Sequence, residues 1–253
     1  MAVVGLEILI RYRDDRKGFN MIEISDLPSY GFPEIIKVND RISYIPACEK
    51  PLSADIGIIR GDSKIYLYDV GSTLQALNYL YSLPDDKVIA ISHFHGDHTW
   101  WLGTHRPGDS EMGAEDNVSP CYERPKYSKL YVSKQSAKYT NGGDIVTEPV
   151  VIEDGVKIEI APIPSTHAKG SLALTVDDEI MFVGDATYSA SDSDGAFYNA
   201  QLLQEEIAFL EASPAAKVFL SHERRPLKPK AVIVRQLSMI LGKWDKSGPK
   251  VYL

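Results

Sequence analysis

The stretch that decides the reading of this chain is Val88-Ile89-Ala90-Ile91-Ser92-His93-Phe94-His95-Gly96-Asp97-His98. A short apolar run, the signature of a buried strand, delivers three imidazoles and one carboxylate within six positions. Neutral imidazole and carboxylate are the ligands that Zn²⁺ and similar borderline metals take. Half of the chain's six histidines lie here, so the run reads as the nucleus of a metal site. At a strand end, residues i and i+2 point the same way, which predicts that His93 and His95 converge on one ion. Asp97 and His98 follow the turn at Gly96 and are expected to face a second ion nearby.

Working outward, further donors sit at the ends of other apolar runs. His167 lies in the loop Pro164-Ser165-Thr166-His167 before the β-prone run Ser171 to Val176. Asp185 follows Met181-Phe182-Val183-Gly184, and His222 follows Val218-Phe219-Leu220-Ser221. Asp69 ends Tyr66-Leu67-Tyr68, just before Gly71. His105 has no such position and reads as a loop histidine.

The remaining chain alternates blocks of strands with helices. Strands are expected at Ile35 to Val38, Ile42 to Ile45, Ile56 to Arg60 and Lys64 to Val70, with a turn at Gly61-Asp62. A helix follows over Leu74 to Tyr81, and Pro84-Asp85-Asp86 breaks it. Lys129 to Val132 reads as a strand and Lys134 to Tyr139 as a short helix. Hairpins are expected around Asp154-Gly155 and Asp177-Asp178. Ala200 to Leu210 is amphipathic, with Leu202, Leu203, Ile207 and Leu210 on one face. Val218 to Leu220 is a strand, and Ala231 to Trp244 a closing helix. No Gly-rich phosphate fingerprint occurs, so the pattern favours an α/β sandwich over a dinucleotide-binding sheet.

Composition narrows the function classes. The chain has 253 residues, 44% of them hydrophobic, which suits one domain over 1–253. The formal net charge is −8, so a nucleic-acid partner is not favoured. The basic run Glu223 to Lys230 is the local exception and reads as a solvated loop. Two cysteines, Cys48 and Cys121, suggest no disulfide framework. No secretory leader or membrane span is evident, and a cytoplasmic protein is the expectation. Residues 1–33 read as an N-terminal hairpin extension, either an edge strand pair or an oligomer contact of the kind a homodimer would use. Residues 103–127 lack any period and read as either a lid loop or a surface insertion.

His-x-His-x-Asp-His, a distant His, Gly-Asp and a last His, preceded by a strand ending Asp-x-Gly, together resemble the metallo-β-lactamase superfamily. The resemblance runs in order from about Ile35 to His222. It implies a four-layer αββα sandwich with the site at one edge of the two sheets. It further implies that His93, His95 and His167 hold one metal ion, that Asp97, His98 and His222 hold another, and that Asp185 bridges them. Asp69 would anchor the ligand loop by hydrogen bonds, as outer partners of metal ligands do. The implied cofactors are two Zn²⁺, or Mn²⁺ or Fe²⁺. The implied reaction is hydrolysis of a small-molecule ester, lactone or thioester by a hydroxide between ions about 3.5–4 Å apart, with Asp97 in the catalytic group.

Departures from relatives sharpen the reading. A true β-lactamase usually has Cys or Ser where this chain has Asp185. Glyoxalase II and RNase Z enzymes resemble the core but add a helical domain or a tRNA-clamping arm, and neither pattern is seen. Flavodiiron proteins replace the second His of the cluster with Glu. Acyl-homoserine lactonases carry Tyr three residues after the bridging Asp, and Gly184-Asp185-Ala186-Thr187-Tyr188 has that spacing. The resemblance therefore implies Tyr188 as a donor to a substrate carbonyl. Those enzymes usually show Gly-Gly after the cluster, where this chain has Thr99-Trp100-Trp101. Trp100 and Trp101 read either as an apolar wall for substrate or as core. Lys169 reads either as an anion contact or as a solvated loop lysine. Phosphodiesterase chemistry and a mononuclear iron sulfur dioxygenase on the same fold stay open as alternatives.

Overall fold

The computed structural model describes residues 31–103 and 124–253, together with the backbone of Leu9–Arg11 and Met21–Glu23. Those two short strands pair antiparallel, with Ile10 opposite Ile22. His105, Cys121 and most of the 103–127 segment lie outside the described residues.

Two sheets carry the rest. The first has seven strands in the spatial order Asp144–Ile145, Lys129–Val132, Val88–Ala90, Ile65–Tyr68, Ile56–Arg60, Ile42–Ile45 and Ile36–Lys37. The second has six: Val150–Glu153, Lys157–Ile163, Ser171–Val176, Ile180–Gly184, Lys217–Leu220 and Leu227–Pro229.

Period-2 alternation sorts each central strand onto two buried faces. Ile59, Tyr66, Tyr68, Val88 and Ala90 point toward the second sheet, where Ile158, Leu174, Phe182 and Phe219 meet them. Ile56, Ile58, Leu67, Ile89 and Ile91 point the other way, against Leu77 and Leu80 of the Leu74–Ser82 helix. On the far side of the second sheet, Met181, Val183 and Val218 pack against Leu203, Ile207 and Leu210 of the Ala200–Ala212 helix. Ile233 and Leu237 of the Lys230–Leu241 helix join the same layer. The result is the expected order of helix, sheet, sheet, helix. Close approach of the sheets requires Gly57, because a Cβ there would stand 2.9 Å from the Phe182 ring.

Two of the three flanking helices start on side-chain caps. Thr73 Oγ1 accepts from the Ala76 N–H at 3.1 Å, and Asn199 Oδ1 from the Leu202 N–H at 3.0 Å.

Some elements differ from expectation. Lys134 to Tyr139 is not an α-helix but a single 3₁₀ turn at Ser136–Lys138. A three-stranded sheet of Ala190–Asp192, Gly195–Asn199 and Lys250–Tyr252 has no apolar alternation to announce it. Its strands are short, and pairing with a distant terminal segment is what holds them.

Topology positions the site. Val88–Ala90 runs parallel to Ile65–Tyr68, and Ile180–Gly184 runs parallel to Lys217–Leu220. The C-terminal ends of these four strands carry Asp69, the histidine run, Asp185 and His222 to one edge, where open α/β sheets usually place ligands.

Candidate metal centre

The ligand loop is built on a buried anchor. Asp69 Oδ1 accepts the Ser92 N–H at 2.7 Å, and Asp69 Oδ2 lies 2.8 Å from His98 Nδ1. Ser92 Oγ sits 3.0 Å from His93 Nδ1 and 3.1 Å from His98 Nδ1. Both rings thus have Nδ1 engaged and Nε2 turned toward the cluster. Gly184 is required opposite this loop. Its φ is 55°, and a Cβ would meet Ser92 Cβ at 2.7 Å.

The strand itself ends at Ala90, so His93 and His95 do not converge by strand alternation as expected. His95 instead caps the short Gly96–Thr99 helix, whose N–H groups at His98 and Thr99 reach the His95 carbonyl at 3.1 and 3.2 Å. That turn swings the His95 ring back, and its Nδ1 lies 2.9 Å from His93 Nε2. His167 Nε2 is 3.1 Å from the same Nδ1. Ser165 places His167 by accepting its backbone N–H at 3.1 Å. His93, His95 and His167 therefore form one group able to hold an ion.

Asp97, His98 and His222 form a second such group. Asp97 Oδ2 is 2.9 Å from His222 Nε2 and 3.4 Å from His98 Nε2. Asp185 Oδ2 lies between the groups, 3.4 Å from His167 Nε2, 3.5 Å from His98 Nε2 and 3.8 Å from His222 Nε2.

The residues fit metal ions. His98 Nε2 and Asp185 Oδ1 are buried without a hydrogen-bond partner among the described residues. Orphaned buried polar atoms are costly and rare. Ligand atoms about 2.1 Å from a tetrahedral ion stand roughly 3.4 Å from one another, which is the spacing of several pairs here. Imidazole and carboxylate together suit zinc, manganese or iron.

Protonation differs between the groups. Burial, reinforced by the surrounding imidazoles, holds His93 well below the ordinary imidazole range. Burial and His167 lower His95. Burial also works against charge on His98, but Asp69 and Asp185 outweigh it and raise the ring well above that range. His222 is raised in the same way by Asp97 and Asp185. Burial opposes ionisation of Asp97 and Asp185, yet His222 and His98 hold Asp97 low and His98 does the same for Asp185.

The other expected site residues fall differently. Trp101 is 3% exposed and packs in the core beside Leu77, so it is not an open wall for substrate. Trp100 is half-buried against the same cluster. Lys169 is exposed. The Tyr188 ring lies 6.3 Å from His167, but its hydroxyl donates to the Ser221 carbonyl. In this conformation that proton is not offered to a substrate oxygen.

Sequence reasoning missed Ser92, Ser165 and Asp55. Asp55, 4% exposed, accepts the backbone N–H of His222 at 2.9 Å. The one signal was a carboxylate set directly before the apolar run Ile56 to Ile59.

No curated protein matches the chain. Solved structures match its fold. Rm3 metallo-beta-lactamase is 12% identical, with a TM-score of 0.56 over 86% of this chain and 96% of that one. An archaeal metallo-beta-lactamase superfamily protein from Sulfolobus tokodaii is 17% identical, with a TM-score of 0.51 over 82% and 89%. A flavodiiron core from Synechocystis is 14% identical, with a TM-score of 0.58 over 85% and 62%. The family model described as Metallo-beta-lactamase superfamily matches residues 50–222, the span that holds Asp69, the histidine run, His167, Asp185 and His222. The chain belongs to the metallo-beta-lactamase superfamily.

Proposed function

We propose that this chain is a binuclear metal-dependent hydrolase of a small ester, lactone or thioester. The observation that carries the reading is the clustering of seven donors, with His93, His95 and His167 in one group, Asp97, His98 and His222 in another, and Asp185 Oδ2 3.4 Å from His167 and 3.5 Å from His98. In this reading His93, His95 and His167 take one ion, Asp97, His98 and His222 the other, and Asp185 both. Two such ions, when bound, supply an acidified water and a Lewis acid for a carbonyl oxygen.

The chain's own residues do the rest. Asp69 holds the His98 ring so that only Nε2 faces the ions. Asp97, kept ionised by His222 and His98, is the carboxylate able to take a proton from the attacking water. It returns that proton to the leaving alkoxide or thiolate, so one water is consumed per bond broken. A cavity of about 410 Å³ borders Thr187, Tyr188, Glu223, Ile233 and Leu237, within the size range of small-molecule sites. None of the seven donors is among the residues that line it, so it is not assigned to the substrate.

Phosphodiester substrates are less favoured. Lys169, Arg224 and Arg225, the basic residues nearest the donors in sequence, are exposed.

The test is metal content per chain followed by an ester, thioester and lactone panel. Two zinc or manganese ions and turnover of one of these bonds are expected. A single iron, with oxygen consumption on persulfides and no hydrolysis, would replace this reading with the sulfur dioxygenase.

A further inference from the structure

Two contacts from outside the donor set converge on the second group. The Ala54 N–H donates to the Asp97 carbonyl at 3.1 Å. Asp55 Oδ2 accepts the His222 N–H at 2.9 Å and the Ser221 hydroxyl at 3.3 Å. The Asp55 N–H in turn donates to Ser221 Oγ at 3.1 Å. Ala54 and Asp55 lead into Ile56–Arg60 of the first sheet, whereas His222 follows Lys217–Leu220 of the second. This dipeptide therefore spans the seam between the sheets. It holds the backbones of Asp97 and His222, whose side chains meet at 2.9 Å.

His222 requires such a hold. Its φ is 62°, in the left-handed region that a non-glycine residue occupies only when its surroundings impose it. A buried side-chain oxygen accepting its N–H is such an imposition. The first group is set by other partners, Ser92 beside His93 and Ser165 beneath His167.

We propose that Asp55 is a positioning residue for the Asp97–His98–His222 group, setting the affinity of the second ion and not of the first. This role rests on the two-ion reading above.

The test uses Zn²⁺ alone, added to the metal-stripped full chain and followed by competition with a chromogenic chelator. Asp55→Ala should bind one Zn²⁺ as the parent does and the second about 10–100-fold more weakly, the usual loss when an outer partner of a ligand is removed. Asp55→Asn keeps an oxygen that can accept the His222 N–H, and should restore the second site. Two ions bound by Asp55→Ala at parent affinity, or both sites weakened alike, would overturn the role and leave the two-ion reading intact. A parent chain that takes only one Zn²⁺ would overturn both. Should Asp55→Ala fail to fold, amide exchange of the metal-free parent decides. A protected His222 N–H is expected, and rapid exchange there would overturn the hold.

Discussion

Asp69 Oδ2 lies 2.8 Å from His98 Nδ1, and both side chains are buried. This contact fixes which nitrogen of His98 faces the metal groups, since the other is engaged. Asp69→Ala should cost about 10–100-fold in metal affinity while removing no donor atom from the cluster. Chelator competition checks this. Unchanged affinity would mean that Ser92 alone orients the ring.

Protons should compete with metal unequally at the two groups. A metal takes neutral imidazole, so any proton on the ring must leave. His98 and His222 are raised above the ordinary imidazole value, and His93 and His95 lie below it. As pH falls, the second group should lose its ion before the first. In the metal-free chain these two rings favour the folded state at low pH. Raised His98 and His222 contribute stability that is full below the unfolded value and lost as pH rises through the folded ones. Calorimetry at neutral pH in buffers of different ionisation heat should show proton release with one ion and little with the other. Equal release would contradict the assignment.

Glu206 stands fully buried in the outer helical layer, and neither carboxylate oxygen has a hydrogen-bond partner among the described residues. Burial raises it well above the ordinary glutamate value, so the folded chain keeps its proton. The unfolded chain loses that proton near pH 4.5, so stability falls as pH rises from there toward the folded value. Glu206→Leu should stabilise the chain at pH 7 by about 1–3 kcal/mol, the cost of an unsatisfied buried polar group. Urea unfolding at pH 5 and pH 8 checks it, with a larger gain expected at pH 8.

Tyr188→Phe separates two roles for one hydroxyl. Its proton goes to the Ser221 carbonyl, so the variant should lose about 1 kcal/mol of stability and slow lactone turnover less than tenfold. A loss of about 100-fold or more in kcat would show that the hydroxyl turns to a substrate oxygen during reaction.

Trp101→Ala should destabilise by about 3–5 kcal/mol, as large-to-small core changes do, and leave KM unchanged. A raised KM with stability intact would return Trp101 to the substrate wall.

Much of this architecture was legible in sequence because two local signals carry it. Continuous apolar runs at Ile56 to Ile59, Tyr66 to Tyr68 and Val88 to Ile91 mark strands buried on both faces, whatever packs against them. Histidine and aspartate at the ends of those runs name the chemistry of the edge. What sequence could not supply is anything set by contact across the sheets. The convergence of His93 and His95 comes from a helix cap and not from strand alternation. Trp101 is buried in the cluster that holds Leu77 and Leu80, a placement its own type does not decide. Tyr188 spends its proton on Ser221 because the strands they follow pair side by side in the second sheet, and Asp55 grips His222 from the opposite sheet because the two sheets pack. Donor identity is a property of the residues themselves and reads from the chain alone. Donor orientation is decided by contacts in three dimensions, some local and some between residues far apart in sequence, so only the tertiary structure settles it.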